Sequence, residues 1–220
     1  MNRLRTRVKI CGIVDAGDAH AAVAGGADAL GFVFHEPSVR YITPERAGQI
    51  IRQLPAFVDT VGVVVDLGPA ELDNIAHASG IRYFQFHGNE DPRSCAAAGL
   101  PFLKAVRIRP DTDIAASADR YAGAKGLLLD AFAEDLAGGT GSTFDWSRIP
   151  ASLPVPVFLA GGLNAANVAN AIRRVRPYGV DVSSGVERSP GVKDPGKITE
   201  FLRTVMDVDS GLRQARRTDI

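Results

Sequence analysis

A chain of 220 residues with 25 basic and 25 acidic side chains carries no formal net charge, which removes the bulk attraction that nucleic-acid and membrane-surface binders rely on. No stretch reaches the roughly 18 apolar residues of a membrane span, and the opening MNRLRTRVKICGI turns polar again after a short apolar run. The expected partner is a small molecule, with no nucleic acid and no membrane, and the expected setting is the cytoplasm, where Cys11 and Cys95 stay reduced.

Short apolar runs rich in β-branched residues recur along the chain: VKIC at Val8, ALGFVF at Ala29, VGVVV at Val61, YFQFH at Tyr83, FLKAV at Phe102, GLLLD at Gly126, VFLA at Val157 and GVDV at Gly179. Most are continuous rather than alternating, which suits strands covered on both faces, as in a parallel sheet. Helical segments with start signals lie between them. Asp15 precedes AGDAHAAVAGG, Thr43-Pro44 opens ERAGQIIRQL, Gly68-Pro69 opens AELDNIAHAS and Asp91-Pro92 opens RSCAAAG. Asn164 or Asn167 starts VANAIRRV, and Asp194-Pro195 starts GKITEFLRTVM. A cap residue followed by proline at the first helical position supplies an acceptor for orphan N–H groups and a φ already set for the helix.

Strand starts about 19 to 32 residues apart leave room for one strand, one helix and two loops per unit. Eight such units predict a single-domain, parallel (βα)8 barrel over residues 1–208, with 209–220 as a frayed polar tail. The alternative is a doubly wound open sheet, but the first turn, CGIVDAG, lacks the G-x-G-x-x-G of a dinucleotide site. Whether the barrel is a monomer or a homodimer is left open.

In such a barrel the chemistry sits where strands end. Cys11 ends the first strand; it reads either as a small buried hydrophobe or as a proton acceptor whose pKa nearby cations lower. Cys95, in an alanine-rich helix, reads as packing. Asp130 ends GLLLD at the lip of a desolvated core and reads either as a loop cap or as a general acid with a raised pKa. The long glycine-rich AFAEDLAGGTGSTFDW that follows reads as a lid. Its GGTGST lacks the lysine of a P-loop.

Gly161 and Gly162 before a helix, with Ser183, Ser184 and Gly185 on the next strand end, read either as tight turns or as a phosphate cradle of backbone N–H groups. Arg40, in FHEPSVRYITPERA, is either a solvated charge or a fork for a carboxylate. His87 reads as a satisfied strand-end histidine.

In order, VKICGI, GFVFHEPSVRYI, VGVVV, QFHG, LLLDA, GGTGSTFDW, LAGGL and GVDVSSGVERSPGVKD resemble the phosphoribosylanthranilate isomerase family of tryptophan biosynthesis, from about Lys9 to Phe201. Two departures stand out: Val39 where the family usually has proline, and Phe86 where it commonly has leucine. The resemblance implies an Amadori rearrangement of N-(5-phosphoribosyl)anthranilate without cofactor or metal. It assigns Asp130 as general acid on the ring oxygen and Cys11 as general base at C2. It gives Arg40 the anthranilate carboxylate, Asp181 the substrate amine, and makes His87 a further substrate contact. The phosphate falls to Gly161, Gly162, Ser183, Ser184 and Gly185. Two rivals remain at this point: another sugar-phosphate lyase or synthase on the same barrel, for which Lys9 would be the essential lysine, and a non-catalytic phosphate-ligand sensor.

Overall fold

A computed structural model describes residues 5–131 and 144–218. Eight parallel strands close into a barrel in chain order: β1 (Arg7–Cys11), β2 (Ala29–Val33), β3 (Asp59–Val64), β4 (Tyr83–Phe86), β5 (Phe102–Ile108), β6 (Gly126–Ala131), β7 (Val157–Leu159) and β8 (Gly179–Val182). Closure comes from β1 pairing with both β2 and β8. The open-sheet alternative is thereby removed.

Helices cover the outside: α1 (Ala16–Ala24), α2 (Pro44–Ile51), α3 (Pro69–Ser79), α4 (Pro92–Ala97), α5 (Ile114–Arg120), α6 (Val168–Val175) and α7 (Pro195–Thr218). Most of the sequence start signals act as the residue types require. Asp15 accepts from the Gly17 N–H, Thr43 from that of Arg46 and Asp91 from those of Arg93 and Ser94, while Pro44, Pro69 and Pro92 occupy first-turn positions where no donor is wanted. At α3 the Glu71 carboxylate reaches back 2.9 Å to the Gly68 N–H. Asp113 caps α5, a seven-residue helix whose start has no proline directly after the cap residue.

Alternation along each strand sorts the side chains. Val8 and Ile10 join the main core between sheet and helices, while Lys9 and Cys11 point into the barrel. Inside, Cys11 meets Val33 and Val63, and Ala105, Leu128 and Ala160 form a second small apolar layer with Phe158.

Two features depart from expectation. Residues 209–218 continue α7, and the buried Asp209 carboxylate accepts from the Thr6 N–H at 2.6 Å and the Thr6 hydroxyl at 2.9 Å. A polar residue looked like solvent-facing tail because its partner is some 200 positions away in sequence. After β8 the chain makes a short 3-10 turn (Ser184–Val186) and then a hairpin, β9 (Glu187–Ser189) and β10 (Val192–Lys193), which the eight apolar runs do not include. Gly191 makes the hairpin possible, since its φ is +79° and a β-carbon there would fall 2.6 Å from the Val39 carbonyl oxygen.

Candidate active site

The register of β1 against its neighbours builds the centre of the site. Lys9 stands opposite Asp181 on β8, and Cys11 stands opposite Gly31 on β2. Lys9 Nζ donates to Asp181 Oδ1 at 2.7 Å, with both side chains buried. A β-carbon on Gly31 would lie 2.8 Å from Cys11 Sγ and 3.0 Å from Lys9 Nζ, so a residue without a side chain is what lets these two share the space.

The thiol does not match the sequence expectation of a lowered pKa. Burial pushes Cys11 up, and the charge and hydrogen bond of Lys9 oppose that rise without cancelling it. Position at a strand end pointed to nearby cations but carried no measure of desolvation. Cys95 is buried in α4 as packing, with burial pushing its thiol up to about 11.

Across the mouth, Asp130 departs from its expected dry lip: its side chain is 26% exposed, and Oδ2 lies 3.3 Å from His87 Nε2. The three apolar residues before it face the core and the barrel, but the carboxylate itself projects past them to the rim. His87 Nδ1 is 3.3 Å from the amide nitrogen of Gln85, which lies inside the barrel two residues earlier. Nε2 of the same ring faces Asp130. Arg107 is the β5 partner of Asp130 in register and is exposed at the same rim.

Arg40 is held by carboxylate chemistry from within the chain. Its Nε and Nη2 donate to the two oxygens of Glu187 at 2.7 and 2.8 Å, and Lys193 Nζ reaches the same carboxylate at 2.8 Å. These two cations bring Glu187 from an ordinary 4.5 to about 2 against the opposing effect of burial. The loop with Val39 in place of the family's proline is fixed by Ser38, whose hydroxyl accepts from the Arg40 N–H at 3.1 Å.

The glycine and serine positions converge. Gly161 and Gly162 adopt φ of +78° and +66°, a left-handed pair that side chains resist. The Gly162 carbonyl accepts from the Asn167 side chain at 2.9 Å, which ties this turn to the start of α6. A β-carbon on Gly185 would overlap the Leu163 carbonyl, so the β7 and β8 loops meet backbone to backbone. Among the described residues no acceptor takes the N–H groups of Gly162, Ser184 or Gly185. Ser183 is tied in differently: its hydroxyl donates to the Cys11 carbonyl at 3.0 Å, and Lys193 Nζ donates to the Ser183 carbonyl at 3.0 Å.

The expected lid, from Ala131 to Trp146, falls at 132–143 outside the described residues. Among the described residues no group of three or more His, Cys, Asp or Glu side chains is disposed to hold a metal, and no helix is long and apolar enough to cross a membrane. Gln85, Arg107, Glu187 and Lys193 were not singled out as site residues, and Lys9 was named only for the synthase alternative. Lys9 and Cys11 carried one signal, their i, i+2 spacing on a strand, which puts both on the same face.

The sequence matches the family model described as N-(5'-phosphoribosyl)anthranilate isomerase over residues 8–204. The isomerase of that name from Thiobacillus denitrificans is 52% identical over 199 residues, covering 90% of this chain and 97% of the relative. The crystal structure of phosphoribosyl anthranilate isomerase from Thermus thermophilus superposes with a TM-score of 0.83 at 35% identity, covering 92% of this chain and 100% of its own. A phosphoribosyl anthranilate isomerase in complex with reduced 1-(o-carboxyphenylamino)-1-deoxyribulose 5-phosphate superposes with a TM-score of 0.79 at 37% identity, covering 92% and 99%.

Proposed function

The chain belongs to the N-(5'-phosphoribosyl)anthranilate isomerase family, and from that premise we propose how its own residues carry out the isomerisation. The activity is that of an isomerase of tryptophan biosynthesis. Its substrate, N-(5-phosphoribosyl)anthranilate, becomes 1-(2-carboxyphenylamino)-1-deoxyribulose 5-phosphate.

Asp130 donates a proton to the furanose ring oxygen. The bond from that oxygen to C1 breaks as the amine lone pair forms the C1–N double bond, which opens the ring to a Schiff base. Cys11, as thiolate, removes the proton on C2, and the electron pair released neutralises the iminium to give an enolamine. Tautomerisation of the enolamine places a proton on C1 and yields the ketone. Oxidation at C2 balances reduction at C1, so no external group or electron carrier enters the scheme.

The observation that carries this reading is the disposition of one thiol and one carboxylate on different strand ends of the same mouth, with donors for both charged ends of the substrate beside them. The N–H groups of Gly162, Ser184 and Gly185, for which no acceptor stands among the described residues, form the cradle for the phosphate, with Gly161 shaping their turn and Ser183 bracing it. Arg40 receives the anthranilate carboxylate through the part of its guanidinium that Glu187 leaves free. Asp181 keeps one oxygen for the substrate amine, the other being held by Lys9. His87 holds the Asp130 carboxylate and faces the substrate beside it.

Freshly prepared phosphoribosylanthranilate is fluorescent, and its isomerisation consumes that fluorescence. Addition of the protein should remove the signal catalytically. A stable signal would support the sensor reading, and the appearance of indole absorbance would support a synthase.

A further inference from the structure

We propose that Lys9 is a positioning residue for proton abstraction: its ammonium, clamped by Asp181 inside the barrel, stands beside the Cys11 sulfur and compensates the negative charge that forms there. The proposal rests on the reading of Cys11 as the base.

The geometry is set by the strands. Lys9 and Cys11 are two residues apart on β1, so both project inward, and register brings Asp181 alongside Lys9 and the bare backbone of Gly31 alongside Cys11. Lys9 Nζ and Cys11 Sγ both reach within 3.0 Å of the point where a β-carbon on Gly31 would lie. A buried ammonium is costly, and one carboxylate is enough to pair it. A lysine aimed at a thiol as well as a carboxylate does more than fill the barrel.

The other groups around the sulfur divide by sign. Val33 from β2 and Val63 from β3 are apolar and deepen the desolvation. Arg40, after β2, and Lys193, on β10, add positive charge from the mouth side, while Asp181 on β8 adds negative charge. Burial is the largest influence and favours the neutral thiol, Lys9 is the largest influence opposing it, and Asp181, which sides with burial, is weaker than Lys9. Asp181 and Cys11 in turn hold Lys9 protonated against its own burial. The ammonium therefore remains a cation while the sulfur gains and loses its charge.

The test follows the Cβ chemical shift of Cys11 with pH in protein labelled with 13C-cysteine, with Cys95 as internal reference. The double variant Lys9→Met/Asp181→Asn removes both charges and leaves neither buried alone. Its Cys11 midpoint should rise by at least about one pH unit above wild type, or leave the accessible range upward, whereas Lys9→Arg, which keeps the charge, should stay within about half a unit. A midpoint in the double variant within about 0.3 units of wild type would overturn the proposal. Should the double variant not fold, Lys9→Arg decides alone: a rise of more than about one unit despite the retained charge would contradict it. Normal turnover by Cys11→Ser would instead sink the base assignment while leaving the titration result standing, so the two failures are distinguishable.

Discussion

Arg40 and Glu187 meet fork to fork, Nε to Oε1 at 2.7 Å and Nη2 to Oε2 at 2.8 Å, with Lys193 Nζ also donating to Oε1 at 2.8 Å. An arginine so held loses little further freedom when a substrate carboxylate arrives, because its torsions are already fixed.

Arg40→Ala should therefore raise KM with a smaller change in kcat, since a carboxylate remote from the reacting carbons is held alike in ground and transition states. Lysine should rescue only part of the loss, as it cannot match both oxygens of Glu187. Steady-state kinetics of the two variants check this, and a wild-type KM in Arg40→Ala would return the residue to its structural pairing with Glu187 alone.

Glu187 ties acid stability to the site. Its folded pKa of about 2 lies below its ordinary 4.5, so its contribution is complete above the unfolded value and is lost as pH falls from about 4.5 through about 2. A shift of that size corresponds to about 3 kcal/mol at neutral pH. Denaturant unfolding should show stability falling across this window in the wild type. In Glu187→Gln the fall should be shallower and the protein weaker at pH 7, by about 3 kcal/mol or more, because Arg40 and Lys193 lose their partner. Equal slopes in the two proteins would contradict the assignment.

The two sides of the phosphate cradle should respond differently to an added methyl group. Gly162→Ala places a β-carbon on left-handed backbone, at about 1–2 kcal/mol, beside an N–H assigned to phosphate. Weaker inhibition by inorganic phosphate and a higher KM should accompany a modest drop in Tm. Gly185→Ala would push against the Leu163 carbonyl and should lower Tm much further. An unchanged phosphate affinity in Gly162→Ala would take that glycine out of the cradle.

His87→Ala removes the ring whose Nε2 lies 3.3 Å from Asp130 and should lower kcat by about tenfold or more through misplacement of the acid. Binding of a phosphate-bearing product analogue should change little. A kcat indistinguishable from wild type would leave His87 as the satisfied strand-end histidine first read from the sequence.

Legibility followed sequence distance. Strand cores and most helix starts were readable because an apolar run, or Asp-Pro and Thr-Pro before a helix, acts locally. Strand-end positions were readable once the barrel was expected, which is why Cys11, Asp130 and the glycine turns were singled out as candidates. The Lys9–Asp181 pair was not, because it exists only after β1 closes on β8, 172 positions along the chain. Glu187 and Lys193 were hidden for a different reason: their meeting with Arg40 depends on a short hairpin with no apolar pattern of its own. Desolvation of Cys11 and exposure of Asp130 depend on the packing around two side chains, which no local pattern encodes.

The central claim is that Cys11 and Asp130 move the protons, and turnover of Cys11→Ser and Asp130→Asn, measured by the loss of phosphoribosylanthranilate fluorescence across pH, tests it most directly. Positioned proton transfer contributes about 10²–10⁴ in rate, so each variant should lose kcat on that scale while binding a product analogue with near wild-type affinity. Serine is nearly isosteric with cysteine but far less acidic, so its failure separates proton abstraction from packing. A Cys11→Ser protein with near-normal kcat at every pH would contradict the account and leave Cys11 as a small buried hydrophobe.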